Sequence, residues 1–153
     1  MSALEDLLAR DGKLVYKTKG RSMNPMLYQN RDLVTVEVPS CRLKKYDVAL
    51  YRRGESYVLH RVIGVRDGYY RIRGDNTYVM EQVPDRDVIG VLTGVRRTGK
   101  AHTVNEFGYR CYVRFWNAVY PLRFICVSVK RGLIRFAKAI GIAPFLKKLL
   151  RRQ

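Results

Sequence analysis

Three short segments of the chain carry residue types that hydrolytic chemistry uses. Ser22 lies in Gly-Arg-Ser-Met-Asn-Pro-Met, His60 in the strand-like run Tyr-Val-Leu-His-Arg-Val-Ile, and Asp75 in Arg-Gly-Asp-Asn. A serine hydroxyl is a weak nucleophile unless a base stands beside it, and histidine, with an ordinary pKa of about 6.5, is the easiest such base. Each segment alone has a commoner interpretation, as a bend serine, a structural histidine and a turn.

A β-rich body over residues 1–104 must position these segments. Six runs rich in β-branched and aromatic residues lie between turn signals and predict strands at Leu14–Lys17, Leu33–Val38, Asp47–Arg52, Tyr57–Arg66, Tyr69–Arg73 and Val88–Arg97. The pair Asp67-Gly68 is typical of a two-residue hairpin, and Arg53-Gly54-Glu55 predicts a second hairpin. Because no helical pattern separates the strands, we predict a mainly β fold, a coiled antiparallel sheet or partial barrel.

A short helix over residues 2–11 is predicted to precede the strands. Ser2 and Glu5 have the spacing of a capping box, leucines follow at helical intervals, and Gly12 would end the helix. The first residues lack the basic and apolar regions of a signal peptide. We therefore expect a protein that is cytoplasmic or peripherally attached to a membrane.

Residues 105–153 differ from the body in charge. The chain has a net charge of +17; residues 1–104 hold 19 basic and 12 acidic residues, whereas residues 105–153 hold 11 basic residues and one acidic residue. Apolar residues recur at helical spacing from Ser128, at Val129, Leu133, Phe136, Ala137 and Ile140, and the theme repeats after Gly141 and Pro144. We predict an α-helical, basic, amphipathic tail that is too often interrupted by charges to span a membrane.

The composition narrows the classes of partner and cofactor. With 47% hydrophobic residues the chain is not disordered, and Cys41, Cys111 and Cys126 form no CxxC pair, so neither a disulfide framework nor a cysteine zinc site is predicted. We expect no cofactor and no metal. The basic tail leaves two interpretations open: contact with an anionic membrane surface through residues 110–152, or packing on its own domain with solvated charges. Nucleic acid is the less favoured partner, because no helix-turn-helix or RNA-binding signature is present.

The order of the three segments resembles the superfamily of signal peptidases and self-cleaving repressor peptidases. The matching residues are Gly20, Ser22, Met23 and Pro25; Arg31-Asp32; Tyr46-Asp47-Val48; His60-Arg61-Val62-Ile63; and Gly74-Asp75-Asn76. The resemblance covers about residues 14–95. It implies the coiled β fold of these peptidases and a serine endopeptidase activity on a signal or leader peptide.

The resemblance also implies roles for individual residues. Ser22 matches the nucleophile, and His60 stands where bacterial signal peptidases have a lysine base, which is similar to the signal peptidases of the endoplasmic reticulum and of archaea. Asp75 is the candidate for orienting the imidazole, with Asp85 and Asp87 as alternatives. We expect Met23, Pro25 and Met26 to contribute to substrate binding, although core packing is the commoner role for methionine.

One position departs from the signal peptidases. They usually carry a serine two places before the nucleophile as an oxyanion donor, where this chain has Gly20, as in the repressor peptidases. The oxyanion would then depend on backbone donors such as the Ser22 N–H. Two other functions stay open: a peptidase-like binding module with a degenerate site, and a self-cleaving regulatory peptidase. The second is disfavoured by His60 in place of lysine and by the lack of an Ala-Gly cleavage pair before Ser22.

Overall fold

Antiparallel strands dominate the chain between residues 13 and 103 of a computed structural model that describes residues 3–139. The strands are β1 Lys13–Lys17, β2 Leu33–Glu37, β3 Val48–Arg53, β4 Ser56–Arg66, β5 Tyr69–Arg73, β6 Glu81–Pro84, β7 Val88–Arg97 and β8 Lys100–Thr103. Their order in the sheet is β1-β2-β7-β3-β4-β5-β6, with β8 paired to β7. Since β1 and β6 lie at opposite ends of this order, the sheet is not closed, and the predicted mainly antiparallel β structure is confirmed.

Two of the strands were not predicted from the sequence. Strand β6 is four residues long and contains Pro84, which is tolerated because, among the described strands, β6 pairs only with β5 and has a free edge on its other side. Strand β8 is exposed along its whole length and follows a tight turn at Thr98 and Gly99, both with positive φ. Neither strand shows the apolar alternation that identified the other six.

Residues from both faces of the sheet form the core, in two clusters. Strand β3 lies centrally, and alternate residues enter different clusters: Val48 and Leu50 in one, Ala49 and Tyr51 in the other. The first cluster also contains apolar residues of the segment between β1 and β2, which is the segment that carries Ser22. This segment is therefore held by the core along one side.

Helix α1, Ala3–Asp11, confirms the predicted N-terminal helix. Gly12 ends it with a φ of +68°, and its N–H donates to the Leu8 carbonyl at 2.9 Å. The capping-box residue Ser2 lies outside the described residues. Glu5 accepts hydrogen bonds from Arg52 at 2.9 Å and Tyr57 at 2.7 Å, and these bonds join the helix to the β3–β4 hairpin.

Two helices follow the sheet: α2, Phe107–Ala118, and α3, Tyr120–Ala139. The chain divides into two compact units, Met1–Val113 and Arg114–Gln153, so the first unit extends nine residues beyond the boundary expected after residue 104. The start of α2 belongs to the first unit because Val113 is buried there. Within residues 3–139, no helix has the length and apolar character needed to cross a membrane. The predicted repeat at residues 145–152 lies outside the described residues.

Candidate active site

Ser22 and His60 line the same open cleft, which has a volume of about 1050 Å³. Its walls come from α1, the end of β1, the segment from Thr18 to Met23, strand β4 and the segment that leads into β6. Ser22 is half-buried, whereas His60 is 4% exposed. The structure thus brings together the two residues that the sequence singled out, although they are far apart along the chain.

The segment around Ser22 is a series of turns fixed at several points. The Leu27 N–H donates to the Met23 carbonyl at 2.9 Å, and Arg97 on β7 donates to the Met26 carbonyl at 2.6 Å. Met23 and Met26 are both buried in the core cluster. These contacts hold the serine in place through its own neighbours rather than through a regular element.

Asp32 provides a second anchor for this segment. The residue is fully buried, accepts the Tyr28 N–H at 2.9 Å, and pairs with Arg31 at 2.7 Å and Arg97 at 3.1 Å. Burial alone would raise the pKa of Asp32, but the two guanidinium groups and the backbone donor outweigh burial and hold the pKa well below the ordinary value. Asp32 therefore joins the segment that carries Ser22 to strand β7 through charged hydrogen bonds.

The turn from Gly74 to Asn76 packs directly against Ser22 and His60. The Asn76 N–H donates to the Ser22 carbonyl at 2.7 Å, and the Asn76 side chain donates to the Arg21 carbonyl at 3.2 Å. A Cβ added to Gly74 would stand 2.6 Å from the Ser22 carbonyl oxygen and 3.0 Å from the His60 Nε2 atom. Gly74 thus lies close to both the serine backbone and the imidazole, with room for no larger residue.

His60 has two oxygen neighbours at its other ring nitrogen, Nδ1. The Tyr51 hydroxyl and a Glu81 carboxylate oxygen each lie 3.2 Å from it, and Tyr51 donates its single proton to the other Glu81 oxygen at 2.9 Å. Both neighbours of Nδ1 are therefore acceptors, so Nδ1 carries the proton of the neutral ring. Nε2 is then left with a lone pair, on the side of Gly74 and Ser22.

The pKa of His60 is lowered below its ordinary value, chiefly because burial penalises the charged imidazolium. Glu81 opposes this effect by favouring the cation, and Arg53 adds to the lowering. Arg53 also pairs with Glu81 at 3.2 Å and so holds that carboxylate in place. At neutral pH the imidazole is uncharged, which is the form that accepts a proton.

Asp75 has a different partner from the one expected. It receives two hydrogen bonds from Arg61, from Nε and Nη2, both at 2.7 Å, and a third from the Tyr112 hydroxyl at 3.2 Å. The carboxylate oxygen that lies 3.2 Å from the imidazole Nδ1 belongs to Glu81, which makes Glu81 a further candidate for the orienting contact. Of the two alternatives, Asp85 pairs with Arg42 at 2.9 Å, and Asp87 is half-buried in the same single 3₁₀ turn.

Arg61, which follows His60, is wholly buried and joins several elements. Besides Asp75 it donates to the Tyr46 carbonyl at 2.9 Å and to the Tyr109 hydroxyl on α2 at 3.1 Å, and its Nη2 lies 2.7 Å from the Met26 sulfur. A buried guanidinium is tolerated only where its donors are paired in this way. The pair Arg61–Asp75 therefore links four parts of the molecule by hydrogen bonds: strand β4, helix α2, the turn Gly74–Asn76 (the glycine turn), and the segment between β1 and β2 that carries Ser22 (the serine segment).

The three residues expected to bind substrate divide between two cavities. Met23 lines the cleft of Ser22 and His60, whereas Pro25 and Met26 line a second cavity of about 470 Å³ together with residues of α2 and the β7–β8 region. The role of Pro25 and Met26 in substrate binding therefore stays a prediction, and it would place part of the substrate in the second cavity.

Gly20 has a conformational reason to be glycine. Its φ is +86°, a left-handed value that other residues adopt only with strain, and no atom lies within 4 Å of where a Cβ would stand. Its N–H donates to the Gln29 side chain at 3.0 Å. That donor is already used, so it is not one of the backbone groups that an oxyanion would meet first.

Sequence reasoning missed Glu81 and Tyr51. Tyr51 belongs to a predicted strand, but Glu81 begins the unpredicted strand β6, where Ile72 of β5 pairs with it. The one sequence feature that could have identified Glu81 is that it is an acidic residue shortly after the Gly-Asp-Asn turn. Among the described residues, no group of three or more His, Cys, Asp or Glu side chains gathers as a metal site would require.

Comparison with known proteins leaves the family open. No protein-family model matches this chain, and no curated protein matches it significantly.

Proposed function

We propose that this protein is a serine endopeptidase of signal-peptidase type, cleaving a signal or leader peptide with Ser22 as nucleophile and His60 as base. One observation carries the proposal: a single Cβ position at Gly74 would contact both the Ser22 carbonyl oxygen, at 2.6 Å, and the His60 Nε2 atom, at 3.0 Å. Ser22 and His60 line one cleft, and Asn76 of the third segment donates its N–H to the Ser22 carbonyl. The open, antiparallel sheet is compatible with the coiled fold of that superfamily.

The proton arrangement at His60 suits this role. With the proton on Nδ1, the Nε2 lone pair takes the hydroxyl proton of Ser22 while Oγ bonds to the carbonyl carbon of the scissile peptide. The imidazolium then gives that proton to the departing amine, and the acyl group stays on Oγ. Water, deprotonated by the same nitrogen, attacks the acyl carbon and releases the second product and the serine hydroxyl.

Glu81 and Asp75 have separate supporting roles in this proposal. Glu81 stabilises the transient positive charge on His60 and, with Tyr51, keeps the ring in the Nδ1–H form. Asp75 positions the glycine turn through Arg61. The negative charge on the substrate oxygen is met by backbone donors, for which the Ser22 N–H is the candidate.

The cleft favours an extended peptide with apolar side chains. Apolar surface is contributed by eight residues, namely Leu4, Tyr16, Met23, Leu27, Tyr57, Val58, Leu59 and Val79. Lys17, Lys19 and Arg21 add positive charge along the segment that leads to the nucleophile. This combination accepts an apolar peptide segment and tolerates acidic residues beside it.

The decisive experiment measures cleavage of a pool of leader-bearing peptides by the purified full chain and by two variants. We expect Ser22→Ala and His60→Ala each to lower kcat/KM by at least about 10³-fold, because each removes one member of the nucleophile–base pair. The matched controls are Ser56→Ala, a serine that lines the same cleft, and His102→Ala, an exposed histidine paired with Glu106. Both controls are expected to stay within about twofold of the wild type.

The same experiment separates the other functions. Cleavage retained by Ser22→Ala would refute the mechanism. If wild-type protein binds the peptides without cutting them, and Ser22→Ala binds equally well, the binding-module alternative is favoured. A loss of mass from the protein itself during incubation, abolished in Ser22→Ala, would indicate the self-cleaving alternative.

A further inference from the structure

Helix α3 presents an apolar stripe that the described part of the chain leaves exposed. Its members are Leu122, Ile125, Val129, Leu133 and Phe136, each between 56% and 65% exposed. The spacings of three and four residues place them on one side of the helix. With 20 residues, α3 is about 30 Å long, so the stripe runs along most of its length.

The opposite side of α3 is basic. Arg131, Arg135 and Lys138 lie about half a turn from the centre of the stripe, and Lys130 lies between the two sides. None of the 13 acidic residues of the chain lies in residues 114–153, which hold ten lysines and arginines. A helix with this exposed apolar area and one sign of charge fits a covering surface that has an apolar interior and a negatively charged exterior.

We propose that α3 binds the surface of an anionic lipid bilayer, lying in the interface with Leu122, Ile125, Val129, Leu133 and Phe136 toward the acyl chains. Charge complementarity selects this occupant over a second copy of the chain. Two copies of this unit would each bring ten basic and no acidic residues, whereas anionic headgroups attract the basic side chains on the rest of the helix. Because α3 is too interrupted by charge to span the bilayer, it lies along the surface.

Aromatic residues near the start of α3 lie on the side of the basic residues, which would meet the headgroups. Arg123 stacks over the Trp116 ring at 3.7 Å, and Tyr120 stacks on Phe124. Tryptophan and tyrosine favour the headgroup region, where the ring is partly buried and its polar edge stays hydrated. The proposal does not depend on the peptidase function, and the Ser22→Ala variant should bind vesicles as the wild type does.

The test is co-sedimentation of the full-length protein with vesicles of phosphatidylcholine alone and of equal parts phosphatidylcholine and phosphatidylglycerol. We expect binding to the anionic vesicles, at least tenfold weaker binding to the neutral ones, and weakening at higher salt. Leu133→Asp should lower the partition coefficient at least tenfold more than Ile134→Asp. The two residues are neighbours and undergo the same change, but Ile134 lies outside the stripe, so its variant should lose only about fivefold, the effect of one added charge.

Several outcomes would overturn the proposal. Equal losses for Leu133→Asp and Ile134→Asp would show attraction of charge without insertion of the stripe. Equal binding to neutral and anionic vesicles would exclude the role of the basic residues. A dimer in solution that Leu133→Asp dissociates, with vesicle binding unchanged, would assign the stripe to a second copy of the chain. Binding to a DNA duplex that is tighter than vesicle binding and unaffected by Leu133→Asp would assign the charge to nucleic acid.

Discussion

At the scale of single residues, His60 is the candidate base of the cleft. Its carboxylate neighbour is Glu81, which begins strand β6, a strand that the sequence pattern did not predict. Burial lowers the pKa of the imidazole, and Glu81 limits that lowering. In the proposed mechanism the base is the neutral ring, so kcat/KM should be constant near neutral pH and fall as the pH drops through a pKa below about 6.5. Glu81→Gln removes the opposing charge, so this acidic fall should move to lower pH, while the plateau drops by about 10²-fold.

The matched control for this prediction is Glu55→Gln, which neutralises another acid that lines the cleft. Its pH profile should coincide with that of the wild type. If Asp75→Asn shifts the acidic limb and Glu81→Gln does not, the orienting contact belongs to Asp75, as the sequence alone suggested.

At the scale of elements, the glycine turn after β5 joins strand β4, the serine segment and α2. Gly74→Ala would bring a Cβ to 2.6 Å from the Ser22 carbonyl, a backbone atom that moves only with its whole segment. We expect a loss of about 1–3 kcal/mol in the free energy of unfolding and at least a tenfold loss in kcat/KM. Denaturant melts and peptide cleavage measure both quantities.

Gly64→Ala is the control for the turn, because its Cβ would meet Arg71 at an ordinary 3.8 Å. It should change the free energy of unfolding by less than about 1 kcal/mol and leave cleavage unaltered. Full activity in Gly74→Ala would show that the distance between the serine segment and the imidazole is not set by this turn.

At the scale of the molecule, the candidate cleft and the segment without acidic residues belong to different units. Every residue that lines the cleft lies within Met1–Val113, and residues 114–153 hold ten basic residues and no acidic ones. A fragment ending at Val113 should therefore melt cooperatively and cleave a short soluble peptide within about twofold of the full chain, while losing its affinity for anionic vesicles. A fragment that folds but does not cleave would show that the second unit contributes to the reaction.

The parts of the fold that the sequence predicted share one property, which is a local pattern. Strands β5 and β7 begin and end where the alternation and turn signals placed them, and Gly12 ends α1 as expected. Strands β6 and β8 lack such a pattern, because an edge strand with a proline and a fully exposed hairpin strand bury few apolar residues. Their pairing depends on the strands beside them, β5 for β6 and β7 for β8, rather than on a pattern in their own residues.

By itself, the sequence determined the mainly antiparallel β body, the separation of charge between body and tail, and the choice of Ser22 and His60 as the pair to consider. Composition, periodicity and segment order are properties of the linear chain. Only the tertiary structure decided which carboxylate meets His60 and where Met26 points. Strand register places Glu81, rather than Asp75, beside the imidazole, and Arg61 takes Asp75 because a buried guanidinium needs a paired carboxylate. These contacts join residues that are distant in the sequence, and their side chains come within hydrogen-bonding distance only when the sheet has formed.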